Sequence, residues 1–126
     1  GQKVEFNIKT ISKEDVLKQA DFITLHVPAQ KEYVLGKKEF ALLKDGVGIV
    51  NAARGGVIDE VALVDALDNK KVAFAGIDVF ENEPTPAIKV LMHPSISLTP
   101  HIGAATAEAQ DRIGVELADQ IEALLK

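Results

Sequence analysis

An arginine followed by two glycines closes a short β-branched run near the middle of this sequence. Residues 46–56 read GVGIVNAARGG. The guanidinium of Arg54 can bind a planar carboxylate through two parallel hydrogen bonds. Gly55 and Gly56 permit a tight or positive-φ turn and let a ligand approach the backbone. The segment therefore predicts a carboxylate-binding site, and the alternative is a surface arginine in a Gly-Gly turn.

Two later apolar runs also end in ionisable side chains. Asp78 follows the run 72–77, with Glu83 in the loop beyond it, and His101 follows the run 96–99. A carboxylate beside a histidine fixes the tautomer of the imidazole, and a histidine held in this way can exchange a proton with a substrate oxygen. Each residue alone is equally explained as a solvated loop charge. Combined with Arg54, they predict a site that binds a carboxylate and transfers a proton.

The elements that must position these residues alternate between strands and helices. Consecutive parallel strands end at one edge of a sheet, so we expect Arg54, Glu83 and His101 to share that edge. The alternation predicts an α/β domain with a mainly parallel sheet of about five strands, flanked by helices and followed by a long C-terminal helix. The predicted strands cover residues 4–8, 22–27, 47–50, 72–77 and 96–99.

Local signals mark the ends and faces of the helices. Ser12, Asp59 and Thr106 are predicted N-caps, and Gly46 is predicted to end the helix at 37–43 in a left-handed conformation. The helix after Asp59 has a predicted apolar stripe of Val61, Leu63, Val64 and Leu67. The last helix covers residues 106–125 and repeats apolar residues on one face. Its length of about 30 Å leads us to expect that it packs across the domain or reaches toward a second one.

Composition excludes several functional classes. The chain has 126 residues, a mass of 13.5 kDa, no cysteine and a formal net charge of −5. The absence of cysteine excludes disulfides, thiolate metal sites and cysteine nucleophiles. The sequence shows no basic stripe, and this absence together with the negative net charge argues weakly against non-specific nucleic-acid binding. No apolar run is long enough to span a membrane, and the start GQKVEFNIKT is not typical of a signal peptide, so a cytoplasmic protein is expected.

Four segments, taken together, resemble the D-isomer-specific 2-hydroxyacid dehydrogenases, most closely the phosphoglycerate dehydrogenase branch. They are DFITLHVP, GVGIVNAARGGVIDE, GIDVFENEP and LTPHIGAATAEAQDRI. The resemblance implies hydride transfer between NAD and a D-2-hydroxy acid such as 3-phosphoglycerate. It implies that Arg54 binds the substrate carboxylate, that His101 is the general acid/base, and that Glu83, selected over Glu81 by the Glu-Pro step, pairs with His101.

The same resemblance implies a partial Rossmann-like, doubly wound domain and a set of cofactor contacts. Asp78 matches the residue that holds the nicotinamide carboxamide, and Arg54 and His101 also face the cofactor. The remaining matched positions lie near the nicotinamide or at the adenosine side: Ala52, Ala53, Gly103, Ala104, His26 and Pro28. From its position alone, His26 is better explained as a polar strand-end residue bonded to backbone.

The family's G-x-G-x-x-G fingerprint does not occur in this chain. We therefore expect a single domain over residues 1–126 that is the C-terminal portion of a dinucleotide-binding domain, without the glycine-rich loop or the substrate domain. Weak or absent NAD binding and negligible turnover are expected of the isolated chain. The alternative is a non-catalytic folding or binding module. A bare strand edge, which we expect residues 4–8 or a second chain to cover, and the C-terminal helix both predict self-association.

Overall fold

A four-stranded parallel sheet organises the chain in the computed structural model, which describes residues 4–126. The strands lie in sequence order, so each hydrogen-bonds to the next. The elements are, in chain order, α1 Lys13–Gln19, β1 Phe22–Leu25, α2 Lys37–Leu42, β2 Val47–Asn51, α3 Glu60–Asp68, β3 Val72–Ile77, α4 Ile88–Leu91, β4 Ile96–Leu98 and α5 Ala107–Leu125.

The central strand β2 is buried because its sequence is almost entirely apolar and it has a neighbour on each side. Val47 and Ile49 are almost completely inaccessible, and β2 pairs with both β1 and β3. The core then continues into α3 through Leu63 and Leu67. A strand of this kind, which is apolar except for Asn51 at its end, is typical of the middle of a parallel sheet.

Helices α1, α3 and α5 begin at the predicted caps. The side chains of Ser12, Asp59 and Thr106 each accept a hydrogen bond from the backbone N–H three residues later. These bonds satisfy donors that the first turn of a helix cannot pair internally. All three predicted N-caps are therefore confirmed.

The strand order does not reverse, so right-handed crossovers place the connecting helices on one face of the sheet. Helices α1 to α4 accordingly contact one another in succession. On the other face, the rings of Phe22 and Phe74 flank Gly48, with their centroids 6.2 Å apart. Both rings are exposed, so this second face is apolar and uncovered by any part of the chain that the structure describes.

The predicted strand at residues 4–8 is wrong, and the sheet has four strands rather than about five. Residues 4–8 have no regular structure, and Val4, Phe6 and Ile8 are exposed. Alternating apolar residues form a strand only where a neighbouring strand and a buried face are present, and residues 4–126 provide neither for this segment. Consequently β1 remains an edge strand among the described residues, rather than being covered by residues 4–8.

Several boundaries and faces also differ from the sequence prediction. Strand β1 ends at Leu25, not at residue 27. Helix α2 ends at Leu42, and Gly46 adopts its positive φ of 82° in the turn before β2 instead of capping the helix. On α3, Val61 is 75% exposed because its side of the helix points away from the sheet, whereas Leu63, Val64 and Leu67 are buried as predicted.

Helix α5 has the predicted extent but does not pack across the domain. None of its residues is buried, and it contacts none of the other elements in residues 4–126. Its apolar face is therefore uncovered within these residues. The exposed fraction of the side chains on this face ranges from 49% to 86%, at Ile113, Leu117, Ile121 and Leu124. Neither α5 nor any other helix in residues 4–126 has the length and apolarity needed to cross a bilayer.

Candidate active site at the carboxyl edge of the sheet

The loops after β2, β3 and β4 leave the sheet at the same edge, because these strands are parallel and adjacent. Arg54 lies in the first loop, Asp78 and Glu83 in the second, and His101 in the third. Backbone hydrogen bonds join the strand ends, from Asp78 N to Asn51 O and from Thr99 N to Ile77 O, both at 3.0 Å. The topology thus places all four candidate side chains on one edge of the sheet.

His101 and Glu83 form a direct pair at this edge. The imidazole Nδ1 lies 2.8 Å from Glu83 Oε2, while the backbone N–H of Phe80 donates to Glu83 Oε1 at 3.0 Å. The hydrogen bond with His101 is the largest cause that lowers the pKa of Glu83 below its ordinary value, and the bond from Phe80 N lowers it further. A carboxylate paired at Nδ1 favours the tautomer with its proton on that nitrogen and leaves Nε2 available at the opposite side of the ring.

Asp78 organises the loop that carries His101. Its Oδ1 accepts hydrogen bonds from the Thr99 hydroxyl at 2.6 Å and from Ile102 N at 2.9 Å, and its Oδ2 accepts from Gly103 N at 2.9 Å. Burial alone would raise the pKa of Asp78, but these three bonds outweigh burial and the net pKa is lowered. His101 has a φ of 56°, a conformation that few non-glycine residues adopt, and the bonds from the next two residues hold it there.

The Arg54 turn is shaped by Asn51, a buried residue at the end of β2. The Asn51 side chain accepts a hydrogen bond from Ala53 N at 3.1 Å and donates to the carbonyl of Arg54 at 3.2 Å. The guanidinium itself is exposed and donates to the carbonyl of Ala53 at 2.6 Å. Within residues 4–126, this bond to its own loop is the one hydrogen bond of the Arg54 side chain, and its other donors remain available to an anion.

Gly55 connects the Arg54 turn to the Glu83 loop by close approach. A Cβ atom at Gly55 would lie 1.9 Å from the carbonyl oxygen of Phe80 and 2.5 Å from its carbonyl carbon. Any side chain at position 55 would therefore collide with backbone rather than with a flexible group. Gly56 differs, because its φ is 75° and nothing lies within 4 Å of a Cβ there.

Glu60 and Glu81 join the start of α3 to the same loop. Glu81 N donates to Glu60 Oε1 at 2.8 Å, and Glu60 N donates to Glu81 Oε1 at 2.9 Å. The Tyr33 hydroxyl donates to the second oxygen of Glu81 at 3.3 Å. Glu60 is only 7% exposed, and burial is the main cause that raises its pKa. Thus Glu83 contacts the imidazole, whereas Glu81 contacts the helix.

An open cavity of about 440 Å³ lies beside the imidazole. Its polar lining comes from Glu83, Thr99 and His101, and the remaining lining residues are Phe80, Pro84, Pro86, Leu91, Leu98 and Pro100. A concave, mostly apolar site with a few convergent polar groups is the usual form of a small-molecule pocket.

The other predicted cofactor positions lie along this edge or at its far end. Ala52, Gly103 and Ala104 are exposed, and Ala53 is buried. His26 and Pro28 follow β1, one strand beyond the Arg54 turn. His26 bonds to the Thr24 hydroxyl at 3.0 Å, so the predicted backbone partner is wrong. A hydroxyl two residues earlier on the same side of the strand is the nearer partner.

Sequence reasoning missed four residues that shape the site: Asn51, Thr99, Glu60 and Glu81. Asn51 had a usable signal, since an asparagine directly after a buried strand often bonds to backbone two residues later. Thr99 and the two glutamates gave no such signal, because their partners are far away in sequence.

The fold is an α/β domain with a parallel sheet, and its candidate site is a histidine–carboxylate pair at the carboxyl edge of that sheet. The family model described as "D-isomer specific 2-hydroxyacid dehydrogenase, NAD binding domain" matches residues 2–103. The chain belongs to this family, and NAD is the cofactor that the family description names.

Individual relatives agree with the family. The chain is 44% identical over 123 residues to D-3-phosphoglycerate dehydrogenase of Bacillus subtilis (strain 168). This alignment covers 96% of this chain and 23% of the relative. It is also 44% identical over 124 residues to hydroxypyruvate reductase of Thermotoga maritima, in an alignment that covers 94% of this chain and 40% of the relative. The crystal structure of a glyoxylate reductase from Paecilomyes thermophila superposes with a TM-score of 0.77 at 40% identity, over 92% of this chain and 36% of that one. The chain therefore spans about a quarter of the phosphoglycerate dehydrogenase and two fifths of the hydroxypyruvate reductase.

Proposed function

We propose that this chain supplies the catalytic edge of an NAD-dependent dehydrogenase that acts on a D-2-hydroxy acid, with 3-phosphoglycerate as the preferred candidate. The observation that carries the proposal is the 2.8 Å contact between His101 Nδ1 and Glu83 Oε2. It orients an imidazole beside an open cavity, at the same edge of the sheet as the exposed guanidinium of Arg54. These are the groups that oxidation of a hydroxy acid requires.

In this proposal His101 is the general acid/base. With Nδ1 hydrogen-bonded to Glu83, the Nε2 atom accepts the hydroxyl proton of the substrate during oxidation and returns it during reduction. Glu83 keeps the ring in the productive tautomer and stabilises the imidazolium that forms. Its lowered pKa keeps it ionised for this purpose at neutral pH.

Arg54 binds the substrate carboxylate and so fixes which carbon faces the cofactor. The guanidinium must exchange its bond to the carbonyl of Ala53 for a bidentate contact with the substrate. The positive charge of Arg54 also favours the anionic substrate electrostatically. We assign substrate binding, and not proton transfer, to this residue because a guanidinium offers five N–H donors in a fixed fork and has no acceptor.

The edge of the sheet also fits a nicotinamide. Hydrogen bonds from the loop that carries His101 fill three acceptor positions of Asp78, which leaves Oδ2 one position for a carboxamide N–H. Small residues at Ala52, Gly103 and Ala104 leave space for a flat ring. NAD, when bound, supplies the hydride acceptor, and His26 and Pro28 are proposed to border its adenosine side.

We further propose that the 126 residues alone bind NAD weakly and turn over negligibly. No G-x-G-x-x-G segment is present to bind the pyrophosphate. Each loss of about 1.4 kcal/mol in binding free energy weakens affinity tenfold. A chain with this sequence can therefore keep the geometry of the site while contributing little binding energy for the cofactor.

Chemical-shift mapping of the 126-residue chain with NAD tests the cofactor site. We expect the amide signals of Ala52, Gly103 and Ala104 to shift at a concentration of about 10 mM NAD, since dissociation constants in the millimolar range correspond to only about −4 kcal/mol. No shift at these three positions, or shifts confined to another surface, would contradict the proposed site. A hydride-transfer assay with NAD and 3-phosphoglycerate should show negligible turnover, and turnover at ordinary enzyme rates would contradict the proposed weakness of the isolated chain.

A second candidate is a non-catalytic folding or binding module, which the uncovered apolar surfaces favour. Self-association through the free edge of β1 or the apolar face of α5 belongs to this candidate and is also compatible with the first. Light scattering after size-exclusion chromatography distinguishes a monomer from a dimer. We expect Ile121→Asp to shift any dimer toward monomer if α5 forms the contact, and to have no effect on association if the β1 edge does.

A further inference from the structure

We propose that Glu81 and Glu60 are positioning residues that hold Glu83 within reach of His101. Their two reciprocal backbone hydrogen bonds, which we call the Glu60–Glu81 clamp, tie the start of α3 to the loop after β3. The inference deepens the proposed function and rests on it in one respect, because it treats the His101–Glu83 pair as the pair that matters for catalysis.

The clamp controls the Glu83 loop because Glu83 is bonded to the backbone beside it. Phe80 N donates to Glu83 Oε1, and the next residue along the chain is Glu81. Whatever fixes residues 80 and 81 therefore fixes where the Glu83 carboxylate lies. The clamp fixes residue 81 at both its N–H and its carboxylate.

The second anchor of this loop is the Gly55 contact at Phe80, which is steric and sets a minimum separation. The clamp is attractive and sets a maximum separation. Acting from adjacent residues, they define the height of the loop above the sheet. A 2.8 Å contact between His101 and Glu83 tolerates little movement, since hydrogen bonds weaken quickly beyond about 3.2 Å.

Electrostatic attraction does not explain why the Glu60–Glu81 clamp consists of two carboxylates. Glu60 is buried, its pKa is raised by that burial and by the nearby Glu81 charge, and no cation contacts either carboxylate within residues 4–126. Each carboxylate accepts a hydrogen bond from the backbone N–H of the other residue, and Glu81 accepts one more from the Tyr33 hydroxyl. The side-chain length at these positions, rather than the charge, is therefore what the geometry requires.

A crossed pair of variants separates length from charge. Glu81→Asp keeps the charge and shortens the side chain, so it withdraws the acceptor from Glu60 N. Glu81→Gln keeps the length and a carbonyl acceptor but removes the charge. Asn82→Ala is the matched control, because Asn82 lies in the same loop, is exposed and makes no side-chain hydrogen bond to any described residue.

The readout is the carboxyl titration of Glu83 by NMR, together with the amide shift of Phe80 and the tautomer of His101 from its ring nitrogen shifts. All three report geometry and need no cofactor. In the unmodified chain we expect the pKa of Glu83 to lie below 4.5. In Glu81→Asp we expect it to rise toward 4.5, with loss of the Nδ1-protonated tautomer, and in Glu81→Gln and Asn82→Ala to stay low.

The direction of the shift makes the test decisive. Removal of a neighbouring negative charge can only lower the pKa of Glu83, whereas loss of the contact with His101 raises it. The inference is overturned if Glu81→Asp leaves the pKa of Glu83 and the His101 tautomer unchanged, or if Glu81→Gln raises that pKa as much as Glu81→Asp does. Failure of NAD to perturb the sheet edge would instead contradict the proposed function and leave this geometric result standing.

Discussion

Substitution of Gly55 by alanine should separate two loops of the candidate site. The added Cβ would lie 1.9 Å from the carbonyl oxygen of Phe80, and 3.0 Å is about the shortest contact that such atoms make, so the loops must move apart by about 1.1 Å. The obstacle is backbone, which cannot rotate away as a side chain does. We expect a loss of about 3 kcal/mol in the free energy of unfolding, at the upper end of overpacking costs.

The same movement should disrupt the pair at the site. Phe80 N bonds to Glu83, so a displacement of this size would carry the carboxylate away from His101 and break a contact of 2.8 Å. In an active enzyme that contains these residues, a misplacement of about 1 Å can cost about a hundredfold in rate. In the isolated chain the signature is a rise in the pKa of Glu83 and a changed amide shift at Phe80.

Gly56→Ala is the matched control for this prediction. Gly56 has a φ of 75° and open space around a Cβ, so alanine there meets backbone strain of about 1–2 kcal/mol but no collision. Urea unfolding measures both variants, with a slope of about 1–2 kcal/mol per molar expected for a chain of this size. The reasoning is refuted if Gly55→Ala is no less stable than Gly56→Ala, or if the Glu83 titration is unchanged in Gly55→Ala.

Two further predictions concern buried carboxylates. Asp78→Asn should lower the free energy of unfolding by about 3 kcal/mol at pH 7, because it weakens charge-assisted hydrogen bonds from Ile102 and Gly103. The pKa of Asp78 is lowered in the folded state, so its charge stabilises the fold above the ordinary pKa of 3.8, and this stabilisation disappears as pH falls through the folded pKa. In urea unfolding, the difference in stability between the variant and the unmodified chain should therefore narrow below pH 4. Glu60→Gln should raise the free energy of unfolding by about 1 kcal/mol at pH 7. The raised pKa of Glu60 means that the folded state binds more protons than the unfolded one above 4.5, so ionisation of Glu60 costs stability as pH rises; the gain should vanish near pH 4, and a gain that is independent of pH would contradict this explanation.

The sequence by itself determined which ionisable residues follow three of the strands. Apolar runs at β2, β3 and β4 are bounded by Arg54, Asp78 and His101, and parallel pairing of successive strands is enough to bring their ends to one edge. The helix caps at Ser12, Asp59 and Thr106 were also readable, because a cap depends on residues three positions apart. Local chemistry and the succession of apolar runs along the chain are the information that a single sequence contains.

The tertiary structure decided everything that depends on a partner remote in sequence. Residues 4–8 have the alternation of a strand but pair with no strand in the described part of the chain, and nothing in that part packs on the apolar face of α5. The contact of Gly55 with Phe80, and the Glu60–Glu81 clamp, join segments more than twenty residues apart. A hydrogen bond or a collision of this kind is set to a few tenths of an ångström by packing, and residue order alone does not encode that distance.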